Sequence, residues 1–429
     1  MPASNNNNNP IKNTSFKVVL PFYMYASLAL LVGCILLFTS SSAFTQHYFH
    51  PQTLAITHTM ALGWGTMMIL GAGHQLLPVL IETKLFSNIL AYLSFIFAAT
   101  GIPLLVYAFY TFNMNWPAQF GGIFINAAIV CYLINFAISL GKSKQDNVHA
   151  VFVFTATLWL LLTTLMGLLL VYNFTLDILP SNSLMYLPLH AHMGIAGWFL
   201  LMIIGVGSRL IPMFLISKYN NPTLLWIMYA LINTGLTCFI IINIYLHTTG
   251  LYLFPVAAII AALLLFAYYC NNAYRQRIRR HVDGQIKISL LSVLMMVLPL
   301  IFLIIMIVIL INAKENIQLV LLYGFTIFFG WITAIIFGMT FKTLPFIVWN
   351  KVYHLKAGLG KTPNPKDLFS SKIFTAMTIV YVSGFILFAI GILFSGMFVL
   401  KLAATLLLLA AILYNWNVFK LVLHKPVKP

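Results

Sequence analysis

The sequence predicts an all-α integral membrane protein of about twelve transmembrane helices in three pseudo-symmetric blocks of four. Three observations carry that prediction. First, the 429 residues are 62% hydrophobic and only 7% charged, more apolar surface than a soluble domain of this size could hide. Second, a membrane span needs about 20 consecutive apolar residues, and twelve such runs can be marked. Third, one glycine–tryptophan–proline pattern recurs three times at even spacing.

The runs fall at roughly 18–40, 54–81, 86–111, 119–140, 151–173, 188–216, 222–246, 251–270, 288–312, 317–349, 372–394 and 397–419. Residues 1–17 and 420–429 then form short tails, and the membrane domain spans 18–419, with repeat blocks at about 18–140, 151–270 and 288–419. The start, "ASNNNNN", is of low complexity and reads as disordered. No cleavable signal is expected, because the first span follows a polar start and lacks a small-residue cleavage site. "GKTPNPKD" reads as a loop, since its prolines would break a helix.

The net charge of +17 raises the question of nucleic acid, and its placement answers against it. Of the 23 lysines and arginines, all but Arg209, Lys314, Lys342 and Lys401 fall in the tails or in the loops of a single side. This positive-inside pattern predicts cytoplasmic termini and a cell (inner) membrane location. The densest basic stretch, "RQRIRRHVDGQIK", reads as a loop facing anionic lipid rather than a nucleic-acid site. Cys34, Cys131, Cys238 and Cys270 stand singly, with no CxxC or CxxCH, so neither a redox dithiol nor covalent c-type haem is indicated.

The repeat sits on the second, sixth and tenth spans. "HTMALGWGTMMILGAGHQLLPV" carries Gly63, Trp64, Gly71 and Pro78. "HAHMGIAGWFLLMIIGVGSRLIPMF" carries Gly197, Trp198, Gly205 and Pro212. "YGFTIFFGWITAIIFGMTFKTLPF" carries Gly330, Trp331, Gly338 and Pro345. The chain has only eight tryptophans, so three matches to one spacing define an internal repeat. The glycines permit close helix approach, and a proline inside a span is tolerated where neighbours or water satisfy the freed carbonyl.

Polar residues inside a span are costly and usually functional. His58 and His192 each lie six residues before their tryptophan; Phe325 holds that place in the third copy. Two residues earlier stand Ile56, His190 and Tyr323. On a regular helix His190 and His192 point about 200° apart, so they do not share one ligand. His192, matched to His58, is the expected inward residue, and His190 is expected to face another helix or the loop. His47, His50 and His247 belong to the same end. His74, Gln75, Arg209 and Lys342 form a second polar set at the opposite end, where Arg209 and Lys342 either snorkel or pair with an anionic group. All six carboxylates fall in loops or at span ends, which argues against a proton- or ion-coupled pump.

These features together resemble the catalytic subunit I of the haem-copper oxidases. The chain is most similar to divergent relatives of the cbb3-type subunit and of nitric oxide reductase. The resemblance covers nearly the whole chain in topology, but its motifs cover the second, sixth and tenth spans only. It implies haem b held by histidines on the second and tenth spans, a further haem on the tenth, and copper held from the sixth and seventh. Carried over by residue, His58 matches the haem ligand of the second span, and His190 or His192 the copper ligand of the sixth. The seventh span holds only His247 at its outer end, and the tenth holds no histidine.

The expectation is therefore a reduced metal complement: one haem b or a copper ion, held through His58 and His192, with His190, His50 or His47 contributing and Arg209 available to a cofactor's anionic group. The role would be electron transfer or binding of a small gas, in the lipid bilayer and with an electron donor or partner subunits. A metal-free transporter or assembly factor on the same scaffold, and a copper-handling protein, are the alternatives.

Overall fold

In hydrocarbon every backbone polar group must be satisfied within the chain, which leaves a long apolar segment the helix as its solution. The computed structural model describes residues 14–143, 147–278, 281–312, 316–354 and 362–426. Within them twelve helices are long and apolar enough to cross a membrane, and no strand occurs among the described residues. The protein is a multi-pass, all-α membrane protein. The first block comprises α1 (Phe16–Thr39), α2 (Pro51–Ile81), α3 (Asn88–Tyr110) and α4 (Trp116–Gly141). The second comprises α5 (Val148–Leu176), α6 (Leu187–Leu215), α7 (Pro222–Leu246) and α8 (Thr249–Arg275). The third comprises α9 (Gly284–Ile311), α10 (Ile317–Tyr353), α11 (Ser371–Leu393) and α12 (Met397–Val422).

The helix starts follow local chemistry. Ser15, Ser87, Asn147, Asn221, Asn316 and Ser370 cap α1, α3, α5, α7, α10 and α11, each accepting a first-turn backbone N–H. Prolines open α2, α4, α6 and α7, where the missing N–H costs nothing. Phe16 and Lys17 already belong to α1, so the helix begins slightly earlier than the apolar run suggests. The "ASNNNNN" stretch and the basic residues Lys144, Arg279, Arg280, Lys314, Lys356 and Lys361 lie outside the described residues.

The three repeat helices form the centre. In α2, α6 and α10, 67%, 78% and 72% of the most apolar window is buried, against 17% in α8 and 22% in α9. Gly71, Gly205 and Gly338 explain the central packing. Each lies against the first helix of its own block: Gly71 on Phe22 of α1, Gly205 on Phe152 of α5, Gly338 on Ser289 of α9. A Cβ at Gly205 would fall 2.5 Å from the Phe152 Cβ, so only glycine allows this approach. Below the tryptophans, a small apolar cavity of about 100 Å³ is lined by Met68, Met202 and Ile335, each four residues after its tryptophan. The three copies therefore surround one pseudo-threefold axis.

The periphery departs from that symmetry. In each block the third and fourth helices pack against each other, α4 packs along α5, and α12 closes along α1. The α8–α9 seam is sparsely packed.

The four described carboxylates, Glu82, Asp177, Asp283 and Asp367, sit at helix ends or in loops. Asp146 and Glu315 are outside the described residues. Lys342, 9% exposed inside α10, is paired with Asp283 at the start of α9. Of the two fates open to it, it takes the anionic partner, and that partner is a side chain of this protein.

Candidate cofactor site between the blocks

Each repeat helix changes its winding at the same place. A π-helical segment runs Thr59–Thr66 in α2, Met193–Leu200 in α6 and Thr326–Ile332 in α10. Each opens immediately after His58, His192 or Phe325 and contains the Gly–Trp pair. π segments are rare and concentrate at functional sites; three in register show that the repeat extends to the backbone. No sequence signal used above predicts them, because a side-chain spacing of this kind is compatible with either winding.

The histidines lie at the mouth of these segments. His58 Nδ1 is 2.8 Å from the Leu54 carbonyl, and His192 Nδ1 is 2.7 Å from the Pro188 carbonyl, both one turn back on the same helix. His190 Nδ1 reaches across to the Thr163 carbonyl of α5 at 3.0 Å. A carbonyl only accepts, so each Nδ1 carries the proton and donates it. A neutral ring then keeps its lone pair on Nε2. This is the arrangement that orients metal-ligating histidines, with one nitrogen tied to a backbone carbonyl and the other presented.

The three rings do not form one cluster. His58 faces His190, with ring centres 6.3 Å apart and planes 19° from parallel. His192 faces Tyr323 at 5.9 Å and 27°, and its ring centre is 4.9 Å from that of Phe239. The expectation of one inward histidine is thus replaced by two. His190 and His192 both line the large cavity, on different walls, because the helix turns them apart. The partner of His58 is His190, not the repeat-matched His192.

A cyclic rule produces this pairing. The residue six before the tryptophan in one copy meets the residue eight before it in the next: His58 with His190, then His192 with Tyr323. At the third seam Phe325 has no such polar partner. It stacks on Phe388 at 4.6 Å, Phe329 at 5.2 Å and Phe385 at 5.5 Å, and the seam is filled with aromatic side chains. The pair implied on the second and tenth spans is therefore not assembled.

A cavity of about 630 Å³ connects the first two seams, within the roughly 300–1,000 Å³ typical of ligand sites. Its walls are mainly apolar, and none of its lining residues is charged. A metal bound by one nitrogen of each ring at about 2.0–2.1 Å lies about 3 Å from each ring centre, which puts two opposed rings about 6 Å apart. The His58–His190 centre spacing of 6.3 Å is of that size. Among the described residues no group of three or more His, Cys, Asp or Glu could hold a metal ion. Two donors would suffice for a group that brings its own remaining ligands, and are fewer than a bare copper ion draws from a protein.

The remaining candidates lie elsewhere. His50 precedes the first turn of α2 and does not line the cavity; its buried Nδ1 has no partner. His47 is exposed and its ring lies on Tyr48 at 4.1 Å, while His247 is exposed at the end of α7. Arg209 is exposed and not among the cavity residues. At the opposite end His74 Nδ1 donates to the Leu70 carbonyl at 2.8 Å. Its Nε2 and the neighbouring Tyr132 hydroxyl are buried without partners, with ring centres 5.0 Å apart.

Gly167 of α5 packs against His190, a contact that the sequence did not reveal. A Cβ there would fall 2.8 Å from the His190 ring. Gly167→Val is expected to turn His190 away from His58 and to weaken any group bound between them by about 10–100-fold, as loss of supporting contacts does at metal sites. Measuring occupancy in the purified variant checks this; an unchanged occupancy removes Gly167 from the site.

Compared with known proteins, the chain matches no protein-family model and no curated protein.

Proposed function

We propose that this protein is a membrane haem protein of the cytochrome oxidase subunit I type with a reduced metal complement, acting in electron transfer rather than in gas binding, since a group held by two histidines keeps no position open for a gas. The observation that carries the reading is the His58–His190 pair: two nearly parallel imidazoles, 6.3 Å apart, each with Nδ1 tied to a carbonyl. Haem b is the group this donor set fits, and Nε2 of His58 and Nε2 of His190 would hold it. Bound there, it would supply a one-electron iron couple whose potential an apolar pocket raises or lowers through burial.

The chain's own residues do the rest. Leu54 and Thr163 fix the tautomer and azimuth of the two rings through their carbonyls. Phe109 packs against the His58 ring, with ring centres 4.4 Å apart. The distribution of lysine and arginine supports cytoplasmic termini in a cell (inner) membrane, which sets the histidines toward the outer half of the bilayer.

The test is the absorption spectrum and metal content of the protein purified from a host supplied with haem precursor and copper. A Soret band that disappears in His58→Ala is expected. Stoichiometric copper without haem would move the reading to a copper protein. A colourless, metal-free preparation that remains folded would sink it.

A further inference from the structure

Two of the three tryptophans that define the repeat make cyclic hydrogen bonds from one copy to another around the axis. Trp64 Nε1 donates to Thr333 Oγ at 3.0 Å, and Trp198 Nε1 donates to Thr66 Oγ at 3.0 Å. In each bond the acceptor is the residue two after the tryptophan of another copy. By the same rule Trp331 should donate to residue 200. That residue is Leu200, which has no acceptor. Trp331 is 3% exposed and its Nε1 has no partner. A buried N–H left unpaired is unfavourable and calls for an explanation.

The explanation lies in the cavity. Trp331 and Leu200 line it on the side between the second and third blocks, together with His192, Tyr323 and Phe328. None of the residues lining the cavity is charged, so a charged ligand would be buried without compensation; the missing acceptor must be neutral. The walls here are aromatic, which favours a flat ring. Leu263 of α8 and Leu303 of α9 form the outer wall. Those two helices are the least buried of the twelve, and their seam is the sparsely packed one, so the approach is from lipid rather than from water.

We propose that this half of the cavity binds a planar, lipid-soluble carbonyl compound with the chemistry of a quinone, whose oxygen accepts the hydrogen bond of Trp331 Nε1 and which enters between α8 and α9. The site is separate from the His58–His190 pair and does not depend on that pair holding a metal.

Decylubiquinone titrated calorimetrically into the protein in lipid nanodiscs tests it. Saturable binding of one equivalent is expected, weakened about tenfold by Trp331→Phe, the loss of a single buried hydrogen bond. Leu200→Thr restores the internal acceptor that the other two copies have, and is expected to weaken binding by a similar factor. In the Leu200→Thr background, Trp331→Phe should then have no further effect, because both changes remove one interaction. Uptake no greater than that of empty nanodiscs would assign the acceptor to a bulk lipid ester and overturn the proposal. So would unchanged affinity in both single variants, or effects that simply add.

Discussion

On the proposed haem reading, His190→Ala is expected to abolish haem binding as completely as His58→Ala, while His192→Ala leaves it in place. The sequence repeat argues the reverse, since it aligns His58 with His192. The geometry decides: His58 and His190 face each other across the first seam, and His192 is turned to Tyr323 across the second. Removal of a ring that would hold the group costs more than removal of a supporting contact, which alone lowers affinity by about 10–100-fold. The measurement is haem per chain after purification, read by the pyridine haemochromogen. A His192→Ala protein that loses its haem while His190→Ala keeps it would refute the pairing. Loss in all three would mean that the histidines act as one cluster, which their walls of the cavity do not allow.

The reason sequence reading paired the wrong histidines is physical. Alignment of repeats compares residues in the same column, but helices around a threefold axis touch neighbours, not equivalents. Contact therefore links column minus six of one copy to column minus eight of the next. Had the three copies been read cyclically, His190 and Tyr323 would have emerged as partners rather than as extras. The twelve spans were legible because about 20 apolar residues leave no alternative to a helix in lipid. The three blocks were legible because Gly71, Gly205 and Gly338 mark where the central helix of each block meets its first helix. The π segments and the glycine at 167 were not legible. The first is a backbone choice shared by many sequences, and the second is one of 25 glycines whose role depends on what packs against it.

The same cyclic logic separates the three seams by chemistry. The first seam holds two imidazoles, the second an imidazole and a phenol, and the third the phenyl ring of Phe325 among its aromatic neighbours. Because Phe325 is clamped among Phe329, Phe385 and Phe388, a single Phe325→His change would not create a third site. The ring would need the volume now held by three neighbours, and its nitrogens would have to be satisfied in an apolar seam.

Lys342 gives the largest expected effect on stability. It lies within α10 at 9% exposure, and its ammonium is paired with Asp283 at the start of α9, with the Phe214 ring 5.6 Å away. Breaking a buried pair by removing one partner costs about 3–5 kcal/mol, because the other charge is left uncompensated. Here the Asp283 side chain is 31% exposed, so water recovers part of that loss and Asp283→Ala is expected to cost about 2–3 kcal/mol. Lys342→Met removes the charge that needs compensation and leaves a partly hydrated carboxylate, so it should cost less. The double variant Asp283→Ala, Lys342→Met should recover most of what Asp283→Ala loses, since an apolar side chain of similar volume in place of a buried ion is often neutral. Thermal unfolding of the four proteins in one detergent, followed by loss of the monodisperse peak, measures the cycle. If Asp283→Ala melts with the unmutated protein, the pair is not what holds α9 against α10 at this end.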